Sequence, residues 1–587
     1  MITAKTNHQD ESLENVVIRF VGDSGDGMQL TGTQFSDTSA MFGNDIATFP
    51  NYPSEIRAPQ GSLYGVSGFQ VHFGSVEVNT PGDNVDLLVT MNPAALKTNL
   101  HAVKPGHTII VDTDSFTKKN LEKALYVTNP LEDGSLENYR VIEVAMTSLT
   151  KEALKNVEGL DNKSITRSKN MFALGMVYWM YDRSMEHTIE FFNKKFKNKP
   201  HLIKANTKVL NAGYNYANTL ELIPSAYKVS PAKMSPGMYR IIMGNTATAW
   251  GFLAAAEKSG LELFLGSYPI TPATDILHEI VKHKHFGVKA FQAEDEIAGI
   301  ASAIGAAFAG DLAITTTSGP GLALKGEALG LAMMIELPLV VVDVQRGGPS
   351  TGLPTKTEQS DLLQAMYGRN GESPVIVIAA STPANCFDYA YEASKLALEH
   401  MTPVILLTDG YIANGSAPWK IRSVEEMPDI KNNLLKEYND DWQPYKRDED
   451  TLARKWAVPG TPGLEHRVGG LEKDGLTGNV SYVPENHEEM TQVREEKVQR
   501  VQNFIPDLKT KFADSGDLLV VGWGGTYGTI YSAIKQLKQD GYTNVGLAHF
   551  NYINPLPKNT EEIFKKFDKI IVCELNNGQF AKVLRMN

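Results

Sequence analysis

The chain has 587 residues, a length that predicts about three or four domains of ordinary size. Its 56 basic and 68 acidic residues leave a formal net charge of −12. Proteins that bind nucleic acid or an anionic membrane through their overall field carry the opposite sign, so those two classes are excluded. The hydrophobic fraction of 42 % and the charged fraction of 21 % are typical of a globular chain with sizeable cores.

Targeting signals and cysteines are sparse. The first ten residues contain no apolar core of the kind that a signal peptide needs, and no apolar run approaches the roughly 18 residues of a membrane span. The two cysteines, Cys386 and Cys573, are isolated and far apart. A disulfide framework and a four-thiolate zinc or iron–sulfur site are therefore not expected on this chain. These features predict a multidomain protein of the cytoplasm with no metal site of its own.

A short β-branched run, a glycine-rich turn and a helix recur along the chain. Such alternation is typical of α/β units, in which helices cover a parallel sheet. The pattern begins at Val16–Val21, restarts at Tyr239 after a polar stretch that contains prolines, and returns at Leu518. We therefore predict an α/β protein of three parallel-sheet units. The predicted boundaries are 1–205, 206–238 as a linker, 239–420, 421–510 as an irregular connection, and 511–587.

A glycine-rich loop, Gly22–Gly27, separates the first predicted strand from a helix that starts near Met28. Backbone N–H groups and the helix dipole at such a position favour an anion. The spacing G-x-x-G-x-G differs from the dinucleotide pattern, however, and two aspartates in the loop would repel a pyrophosphate. A tight turn at the sheet edge and a phosphate or coenzyme A contact stay open. Gly25–Gly27 resembles the start of the thiamine diphosphate magnesium motif, but Asn51-Tyr52 does not complete it, so no metal site is predicted here.

The most informative stretch, residues 266–361, begins with the run Tyr-Pro-Ile-Thr-Pro at Tyr268–Pro272, where a predicted strand ends. We expect Thr271 to cap the following helix and Pro272 to occupy its first position. The carboxyl end of a parallel strand is also where open α/β sheets bind ligands. Thr271 is therefore a candidate for capping and for ligand contact.

Three carboxylates, Glu294-Asp295-Glu296, precede a run of small and apolar residues that extends to Ala307. The run has almost no polar side chain over three turns, which predicts a helix buried on all sides. The carboxylates suit the positive end of the helix dipole. Burial and neighbouring like charges are expected to raise the pKa of Glu296, as in a carboxyl group that takes part in proton transfer. An exposed acidic cap is the alternative.

Two more strand ends carry unusual loops. Thr317–Gly321 reads Thr-Ser-Gly-Pro-Gly and predicts a turn that brings its backbone close to a neighbour. Arg346–Gly352 reads Arg-Gly-Gly-Pro-Ser-Thr-Gly and follows a fully apolar strand. An arginine in a loop with so few side chains suits the bidentate binding of a carboxylate. A surface salt bridge is the alternative for Arg346.

Together, in this order and spacing, these motifs resemble the α subunit of the thiamine-diphosphate-dependent 2-oxoacid:ferredoxin oxidoreductases. About 200 N-terminal residues are similar to the family's γ subunit, and about 80 C-terminal residues, with Glu574–Gln579, to its transketolase C-terminal-like domain. The three units would then be a γ-type, a pyrimidine-binding and a transketolase C-terminal-like domain. The γ–α fusion, Thr355–Gln359 and the stretch Pro462–His466 with Gly469-Gly470 are most similar to the 2-oxoglutarate-specific members.

The resemblance implies roles for individual residues. Glu296 would hydrogen-bond N1′ of the cofactor's aminopyrimidine and favour the imino tautomer, whose 4′-nitrogen takes the C2 proton of the thiazolium. Pro269 would touch the cofactor, with Arg346 also at the cofactor site. Thr271 and Arg346 would hold the 1-carboxylate and the keto group of a 2-oxoacid.

The resemblance also implies partners. In this family the γ-type domain contributes to the coenzyme A site, which makes Ser24, Gly25 and Asp26 candidates. Thiamine diphosphate would be shared with a separate β subunit, since this chain lacks a complete diphosphate–magnesium motif. Mg²⁺ and a [4Fe-4S] cluster are expected on that β subunit, ferredoxin would receive the electrons, and the assembly would be a dimer of αβ heterodimers.

The implied reaction is the oxidative decarboxylation of 2-oxoglutarate with coenzyme A to succinyl-CoA and CO2, or the reverse carboxylation. 2-Oxoglutarate differs from pyruvate by a second carboxylate, so a selective site needs a second cation. Lys356 is the first candidate and Arg369 another, while a solvated loop lysine is the alternative for Lys356. Oxidation of pyruvate or of a branched-chain 2-oxoacid on the same machinery is the alternative function.

The sequence gives less support to two other classes of function, a nicotinamide-dependent dehydrogenase and a non-catalytic scaffold. The misplaced glycines and the aspartates of residues 22–27 disfavour a nicotinamide-dependent dehydrogenase. A non-catalytic scaffold would purify as a colourless stable monomer rather than as a brown complex with a cysteine-rich partner. His466 and His487 in the 421–510 connection stay open between a structural role and one that closes over the active site.

Overall fold

The computed structural model describes residues 11–53, 58–219 and 227–587. Two compact units are distinguished. The first contains the described residues up to Ile241 together with Ser416–Lys420, and the second contains Ile242–Gly415 and Ile421–Asn587. Within the described ranges, no helix is both long and apolar enough to cross a membrane. Residues 220–226 of the predicted linker lie outside the described residues.

The first unit is built on a mixed six-stranded sheet. Its strands are β1 Asn15–Asp23, β2 Asp45–Asn51, β3 Val66–Gly74, β4 Val85–Thr90, β5 Val103–Asp112 and β6 Arg140–Val144. The order is β2-β3-β1-β4-β5-β6, in which β1, β4, β5 and β6 are parallel, while β3 is antiparallel to both β1 and β2. The parallel strands are the predicted apolar runs. The strands β2 and β3 were not predicted from the sequence, because Pro50, Gly68 and Gly74 are unfavourable in strands and weaken the strand pattern.

Helices of the first unit pack around this sheet. They are α1 Met28–Met41, α2 Pro93–Asn99, α3 Lys118–Lys123, α4 Met146–Leu154, α5 Asn162–Arg167, α6 Lys169–Met180, α7 Glu186–Lys195 and α8 Pro200–Thr219. All 12 residues of α6 are buried. Residues 206–219, predicted as linker, instead belong to α8, because Val209 and Leu210 on this helix are buried in the core of the unit.

The second unit contains two sheets. Their strands are β7 Leu263–Ser267, β8 Lys289–Gln292, β9 Leu312–Thr317, β10 Leu339–Gln345, β11 Ile376–Ala379, β12 Pro403–Asp409, β13 Thr510–Lys511, β14 Gly516–Trp523, β15 Val545–Phe550, β16 Tyr552–Asn554 and β17 Phe567–Cys573. The central sheet has the order β8-β7-β9-β10-β12-β11-β16 and is parallel except for β16. The C-terminal sheet has the order β13-β15-β14-β17. The C-terminal segment thus supplies one strand of the central sheet.

Helices of the second unit complete the α/β layers. They are α9 Gly244–Ser259, α10 Thr274–Ile280, α11 Glu296–Phe308, α12 Gly319–Leu324, α13 Gly326–Met334, α14 Leu362–Tyr367, α15 Cys386–His400, α16 Gly410–Asn414, α17 Pro484–Arg500, α18 Tyr527–Gln539, α19 Thr560–Phe564 and α20 Gln579–Met586. Outside the larger sheets of the two units, some short strands form pairs. These pairs are Glu11–Ser12 with Tyr227–Lys228, Tyr239–Met243 with Ser416–Lys420, and Leu434–Leu435 with Trp456–Ala457. One hydrophobic core holds side chains of both sheets, from Val341 on β10 to Trp523 on β14. The fold class is therefore the predicted one.

The C-terminal motif binds the chain segment that follows the glycine-rich loop 347–356. The backbone N–H of Gln359 donates to the carbonyl of Leu575, and its side-chain Oε1 accepts from the Leu575 N–H, each at 3.1 Å. Gln359 Nε2 also donates to the Trp523 carbonyl at 2.8 Å. Gln579 Nε2 donates to the carbonyl of Ser360 at 2.7 Å. Since Gln359 is fully buried, these contacts leave its amide satisfied in the interior.

Buried charges hold the 421–510 connection in addition to its short strand pair. Glu336, which is 1 % exposed, accepts hydrogen bonds from Arg447 at 2.7 and 2.8 Å and from Lys497 at 2.5 Å. Although burial acts in the opposite direction, these cations hold the pKa of Glu336 well below its usual range.

The two histidines left open by the sequence make contacts within this connection. The ring of His466 packs edge-on against Trp442 and Trp456. His487 Nδ1 lies 2.7 Å from a carboxylate oxygen of Glu472. These contacts favour the structural role for both histidines.

The tightest helix contact of the first unit yields a prediction on stability. A Cβ on Gly213 of α8 would lie 2.0 Å from the Phe172 carbonyl oxygen of α6, so Gly213→Ala must force the two backbones apart. We expect a loss of about 3 kcal/mol in the free energy of unfolding, measured by urea denaturation. In the control Gly305→Ala the new Cβ meets nothing within 4 Å, and a gain of about 0.5–1 kcal/mol is expected. Equal stabilities for the two variants would contradict the close packing.

Candidate active site

The candidate site lies at the carboxyl ends of β7, β8, β9 and β10. After β7 the chain adds β8 on one side and then crosses over to add β9 on the other, so the strand order reverses at β7. Ligands of open α/β sheets bind at such a reversal, because the loops on its two sides diverge and leave a crevice. Each of the four motifs between residues 268 and 352 begins within a few residues of one of these strand ends. The topology therefore brings the sequence-predicted residues to one edge.

Thr271 and Arg346 come from separate loops and are joined directly. Arg346 Nη1 donates to the backbone carbonyl of Thr271 at 2.7 Å. The guanidinium is more buried than its glycine-rich loop predicted, with 8 % of the residue exposed, and its Nε has no hydrogen-bond partner among the described residues. The Thr271 side chain is exposed. Nη1 of Arg346 thus fixes the Thr271 loop. The N–H of the buried Nε is left to donate to an anion.

The predicted capping role of Thr271 is wrong. Helix α10 begins at Thr274 with Ala273 at its N-cap position. The backbone before it is held in a loop, because Arg346 binds the Thr271 carbonyl and Asn245 Nδ2 donates to the Pro272 carbonyl at 2.9 Å. The Thr271 hydroxyl is therefore available to a ligand rather than to the helix. Pro269, on the same loop, is half-buried.

Glu296 is the first residue of α11. The preceding Asp295 caps the helix, with its Oδ1 accepting from the Ala298 N–H at 2.7 Å. Glu296 itself is half-buried, and no described residue donates a hydrogen bond to its carboxylate. A Cβ on Gly321 would lie 2.9 Å from Glu296 Cγ and 2.0 Å from Thr317 Oγ1. The glycine of the Thr-Ser-Gly-Pro-Gly turn is therefore required for close contact with Glu296.

Helix α11 is not buried on all sides as predicted. Ile297 is 52 % exposed, and Ala301 and Gly305 one and two turns later are exposed as well. The reason is its place in the sheet: α11 follows β8, which is an edge strand whose four residues are all exposed. An apolar helix face at the margin of the site is therefore left uncovered by this chain.

A buried lysine that the sequence reasoning missed lies behind Glu296. Lys325 is 0 % exposed, and its Nζ donates to the Glu296 carbonyl at 2.7 Å and to Thr315 Oγ1 at 3.2 Å. Burial lowers the pKa of Lys325 to about 8, against the opposing influence of Glu296 and Asp295. The sequence feature that could have revealed this buried lysine is its position as a single charged residue between the apolar helices α12 and α13.

Two carboxyl groups accompany Arg346 and were also missed. Asp343 on β10 is fully buried, with no hydrogen-bond partner for either oxygen among the described residues. Burial and then the negative charge of Asp361 raise the pKa of Asp343 well above its ordinary value, and Arg346 opposes this. Burial also raises the pKa of Asp361 to about 6. Both carboxyls influence the pKa of Arg346, but neither forms an ion pair with it among the described residues.

The two candidate cations for a second carboxylate differ in their surroundings. The guanidinium of Arg369 is engaged by backbone groups. Its nitrogens donate to the carbonyls of Ala365, Met366 and Ser373 at 2.6 to 3.2 Å. Lys356 lies on the same loop as Arg346, where the Gly347 N–H donates to the Lys356 carbonyl at 2.9 Å. It is half-buried, and burial lowers the pKa of its ammonium. The backbone contacts of Arg369 argue against it as the second cation, and Lys356 stays a candidate.

The glycine-rich loop of the first unit lines a cavity of about 500 Å³. Ser24 and Gly25 are exposed there, while Asp26 folds back so that its Oδ2 accepts from the Asp23 N–H at 2.9 Å. Asp26 Oδ1 also lies 3.8 Å from Nζ of the buried Lys169. The expected repulsion of a pyrophosphate is thereby reduced.

Two cations also line this cavity. Lys163 and Arg167 of α5 are both exposed and line the cavity with Ser24 and Gly25. The two side chains lie one turn apart on the helix, a spacing that allows both to reach a single polyanion.

No cluster of three or more histidine, cysteine, aspartate or glutamate side chains suited to a metal ion occurs among the described residues. Cys386 is buried and Cys573 half-buried, and neither forms a disulfide.

Comparison with known proteins agrees with the geometry. The family model described as pyruvate flavodoxin/ferredoxin oxidoreductase, thiamine diphosphate-binding, matches residues 255–480. A second model, pyruvate ferredoxin/flavodoxin oxidoreductase, matches residues 17–216. The 2-oxoglutarate oxidoreductase subunit KorA of Mycobacterium tuberculosis is 54 % identical over 98 % of this chain and 87 % of its own length.

Two further relatives are more distant. The α subunit of 2-oxoacid:ferredoxin oxidoreductase 1 from Aeropyrum pernix is 31 % identical over 76 % of this chain and 70 % of its own. The solved 2-oxoglutarate:ferredoxin oxidoreductase of Magnetococcus marinus, with 2-oxoglutarate, coenzyme A and succinyl-CoA bound, has a TM-score of 0.85 and 32 % identity. The match covers 98 % of this chain and 94 % of that one. The chain therefore belongs to the 2-oxoacid:ferredoxin oxidoreductase family, as a γ–α fused α subunit of the 2-oxoglutarate:ferredoxin oxidoreductase type.

Proposed function

We propose that this chain binds 2-oxoglutarate and the aminopyrimidine of thiamine diphosphate as the α subunit of an enzyme that converts 2-oxoglutarate and coenzyme A to succinyl-CoA and CO2. The electrons pass to ferredoxin. The observation that carries the proposal is the convergence of Glu296, Thr271 and Arg346 at the strand-order reversal of a chain whose family is known. The cytoplasmic location expected from the sequence stays a prediction.

The residues present fit the pyrimidine end of thiamine diphosphate. The Glu296 carboxylate has acceptors that no described residue uses, and Gly321 provides the space beside it. Glu296 would hold a proton shared with N1′ of the pyrimidine, and Pro269 would contact the ring. Bound there, the cofactor supplies the carbon nucleophile and the electron sink for decarboxylation. The diphosphate and its Mg²⁺ are assigned to a β subunit.

Substrate binding follows from the loop after β10. Arg346 holds the 1-carboxylate, and the exposed hydroxyl of Thr271 donates to the keto oxygen. Lys356, half-buried on the same loop, binds the second carboxylate. Burial strengthens the contacts of Arg346 and Lys356, since fewer water molecules compete for their charges.

A β subunit completes the site. Large apolar side chains are exposed around it, with 47 % of Phe291, 52 % of Ile297, 52 % of Leu324 and 56 % of Leu353 accessible. Such a group at the margin of a site marks an interface. The partner that covers it would carry the diphosphate-binding motif and a [4Fe-4S] cluster, and two αβ pairs would form the dimer of heterodimers. The isolated chain is expected to be inactive.

Coenzyme A is assigned to the cavity of the first unit. Ser24 and Gly25 present a hydroxyl and backbone groups, and Asp26 shapes the loop through its bond to the Asp23 N–H. Lys163 and Arg167, which line the same cavity, would bind the phosphates. The volume of about 500 Å³ is within the range of ordinary ligand pockets.

The first test addresses Glu296. In the chain co-expressed with a β subunit, Glu296→Gln removes the proton-holding carboxylate while preserving size, so 2-oxoglutarate-dependent reduction of ferredoxin or viologen should fall at least about 100-fold. The exposed neighbour Glu294 offers a matched control, and Glu294→Gln should stay within about twofold of the unaltered enzyme. An E296Q enzyme with more than a tenth of normal activity would refute the assignment.

The second test addresses substrate choice. Lys356→Glu places a negative charge beside the second carboxylate of 2-oxoglutarate, and the KM for 2-oxoglutarate should rise about 10-fold or more, through a loss of about 1.4 kcal/mol or more. 2-Oxobutyrate lacks that carboxylate and should show a change of less than about threefold. Steady-state kinetics with both substrates decides the matter, since equal increases would exclude Lys356 as the selecting cation.

The third test addresses coenzyme A. The double variant Lys163→Glu with Arg167→Glu reverses two charges on the cavity wall, so the KM for coenzyme A should rise about 10-fold or more while that for 2-oxoglutarate stays constant. Lys155→Glu changes an exposed lysine of the same unit and serves as the control. An unchanged KM for coenzyme A in the double variant would move the coenzyme A site elsewhere.

A further inference from the structure

The second unit contains a cavity of about 430 Å³ that lies apart from the candidate active site. Its lining comes from the loop after β11, from the start of α15, from the residues that lead into β13, and from β15, β16 and α18. None of the residues assigned to thiamine diphosphate, to the 2-oxoacid or to coenzyme A lines it. A cavity of this volume is large enough for a small organic ligand.

The hydroxyl of Ser381, just after β11, lines this cavity as a donor without an acceptor. Its Oγ accepts from Nδ2 of Asn385 at 3.0 Å and from Nδ2 of Asn551 at 2.8 Å. Two accepted hydrogen bonds use both lone pairs of a hydroxyl group and leave its proton to donate elsewhere. No described residue accepts that proton, although Ser381 is only 5 % exposed. A buried donor of this kind requires an acceptor that the described part of the chain does not supply.

The backbone fixes the orientation of both amides. Asn385 Oδ1 accepts from the N–H groups of Ser381 and Thr382 at 3.0 and 2.9 Å, which places its Nδ2 toward the Ser381 hydroxyl. Nδ2 of Asn551 also donates to the Ala379 carbonyl at 2.8 Å, as only an amide nitrogen can. Both amides therefore act as donors toward Ser381, and its hydroxyl cannot donate back to either of them.

Two lysines give the same cavity a net positive charge. Lys509 is exposed, and its side chain forms no hydrogen bond or ion pair with a described residue. Lys511 Nζ donates to Tyr527 Oη at 2.7 Å and lies 5.1 Å from the centre of that ring, which leaves further N–H groups of the ammonium for a ligand. Asp507 supplies one negative charge to the lining, and burial lowers the pKa of His549 to about 3, so this histidine adds no charge.

Tyrosine rings form the less polar part of the lining. Tyr389 of α15 and Tyr552 of β16 are in edge-on contact with 6.1 Å between their ring centres, and Tyr527 begins α18. All three side chains are half-buried. Aromatic faces in a cavity favour a flat ring in the ligand. The donors favour a phosphate monoester over a carboxylate, because a phosphate monoester offers them three terminal oxygens.

We propose that this cavity binds the phosphate monoester of a compound with a flat ring, the class to which nucleoside monophosphates belong. Ser381, Lys509 and Lys511 bind the phosphate oxygens, and the ring lies against the tyrosines. The positive end of the 15-residue helix α15, whose N-cap residue Asn385 lines the cavity, adds to the attraction of an anion. Binding forms and breaks no covalent bond, and the inference does not depend on the proposed function.

Calorimetric titration with AMP tests the site in the full-length chain co-expressed with a β subunit. AMP should bind at least about 10-fold more tightly than inorganic phosphate or adenosine, because each of these carries only one of the two recognised groups. Lys509→Glu places a carboxylate beside the phosphate and should weaken AMP binding at least about 10-fold. Ser381→Ala removes the buried donor and should weaken it about fivefold or more.

Two control variants separate this cavity from other effects. Lys538→Glu makes the same charge change on an exposed lysine outside the cavity and should leave the affinity for AMP within about twofold. The double variant Lys163→Glu with Arg167→Glu alters the cavity assigned to coenzyme A, which itself carries an adenine nucleotide, and it should have equally little effect. The Lys509 side chain has no described partner to lose, so K509E should fold normally even where S381A does not.

Each outcome of the titrations decides the proposal. Weaker AMP binding in K509E, with no change in K538E, supports it. Absence of AMP binding, equal affinity for AMP in K509E and the unaltered chain, or inorganic phosphate bound as tightly as AMP would overturn it. Loss of AMP binding in the Lys163 and Arg167 double variant but not in K509E would also overturn it, by assigning the nucleotide to the other cavity. The activity of E296Q, which tests the proposed function, has no bearing on these titrations.

Discussion

The parallel pairing of β7, β9 and β10 is the constraint on which the site depends. Leu265 on β7 lies beside Ile314 on β9, and Thr317 at the end of β9 lies beside Asp343 on β10. Parallel strands have their carboxyl ends at the same edge of the sheet. Loops that are far apart in sequence therefore meet at that edge. The hydrogen bond from Arg346 to the Thr271 carbonyl then locks two of these loops together.

The charged groups of the candidate site influence one another through space and do not form direct ion pairs with one another. Asp343 and Asp361 act on Arg346 through space, and Glu296 acts on Lys325 in the same way. A direct ion pair would satisfy each partner but would also occupy the hydrogen bonds that a substrate or a cofactor needs. Among the described residues, Nε of Arg346 therefore keeps a donor that no other group occupies.

The sequence was sufficient for the fold class and for the residues that motifs carry. Strands β9 and β10 are rich in β-branched residues, and Thr271, Glu296 and Arg346 follow the ends of β7, β8 and β10. The start of the linker was not predictable, because the polar surface of α8 conceals the residues Val209 and Leu210 that fix this helix to the core. Lys325 was missed for a related reason: a lone lysine looks solvated until its tertiary neighbours are known.

The contacts of Gln359 have a consequence for biosynthesis. Its partner Leu575 is 216 residues further along the chain, which at 5–20 residues per second takes the ribosome about 10–40 s to reach. During that interval the amide of Gln359 lacks its final partners, so the segment beyond the loop 347–356 lacks its C-terminal anchor. The edge of the central sheet that carries the candidate site is thus completed late, after most strands of that sheet have been synthesised.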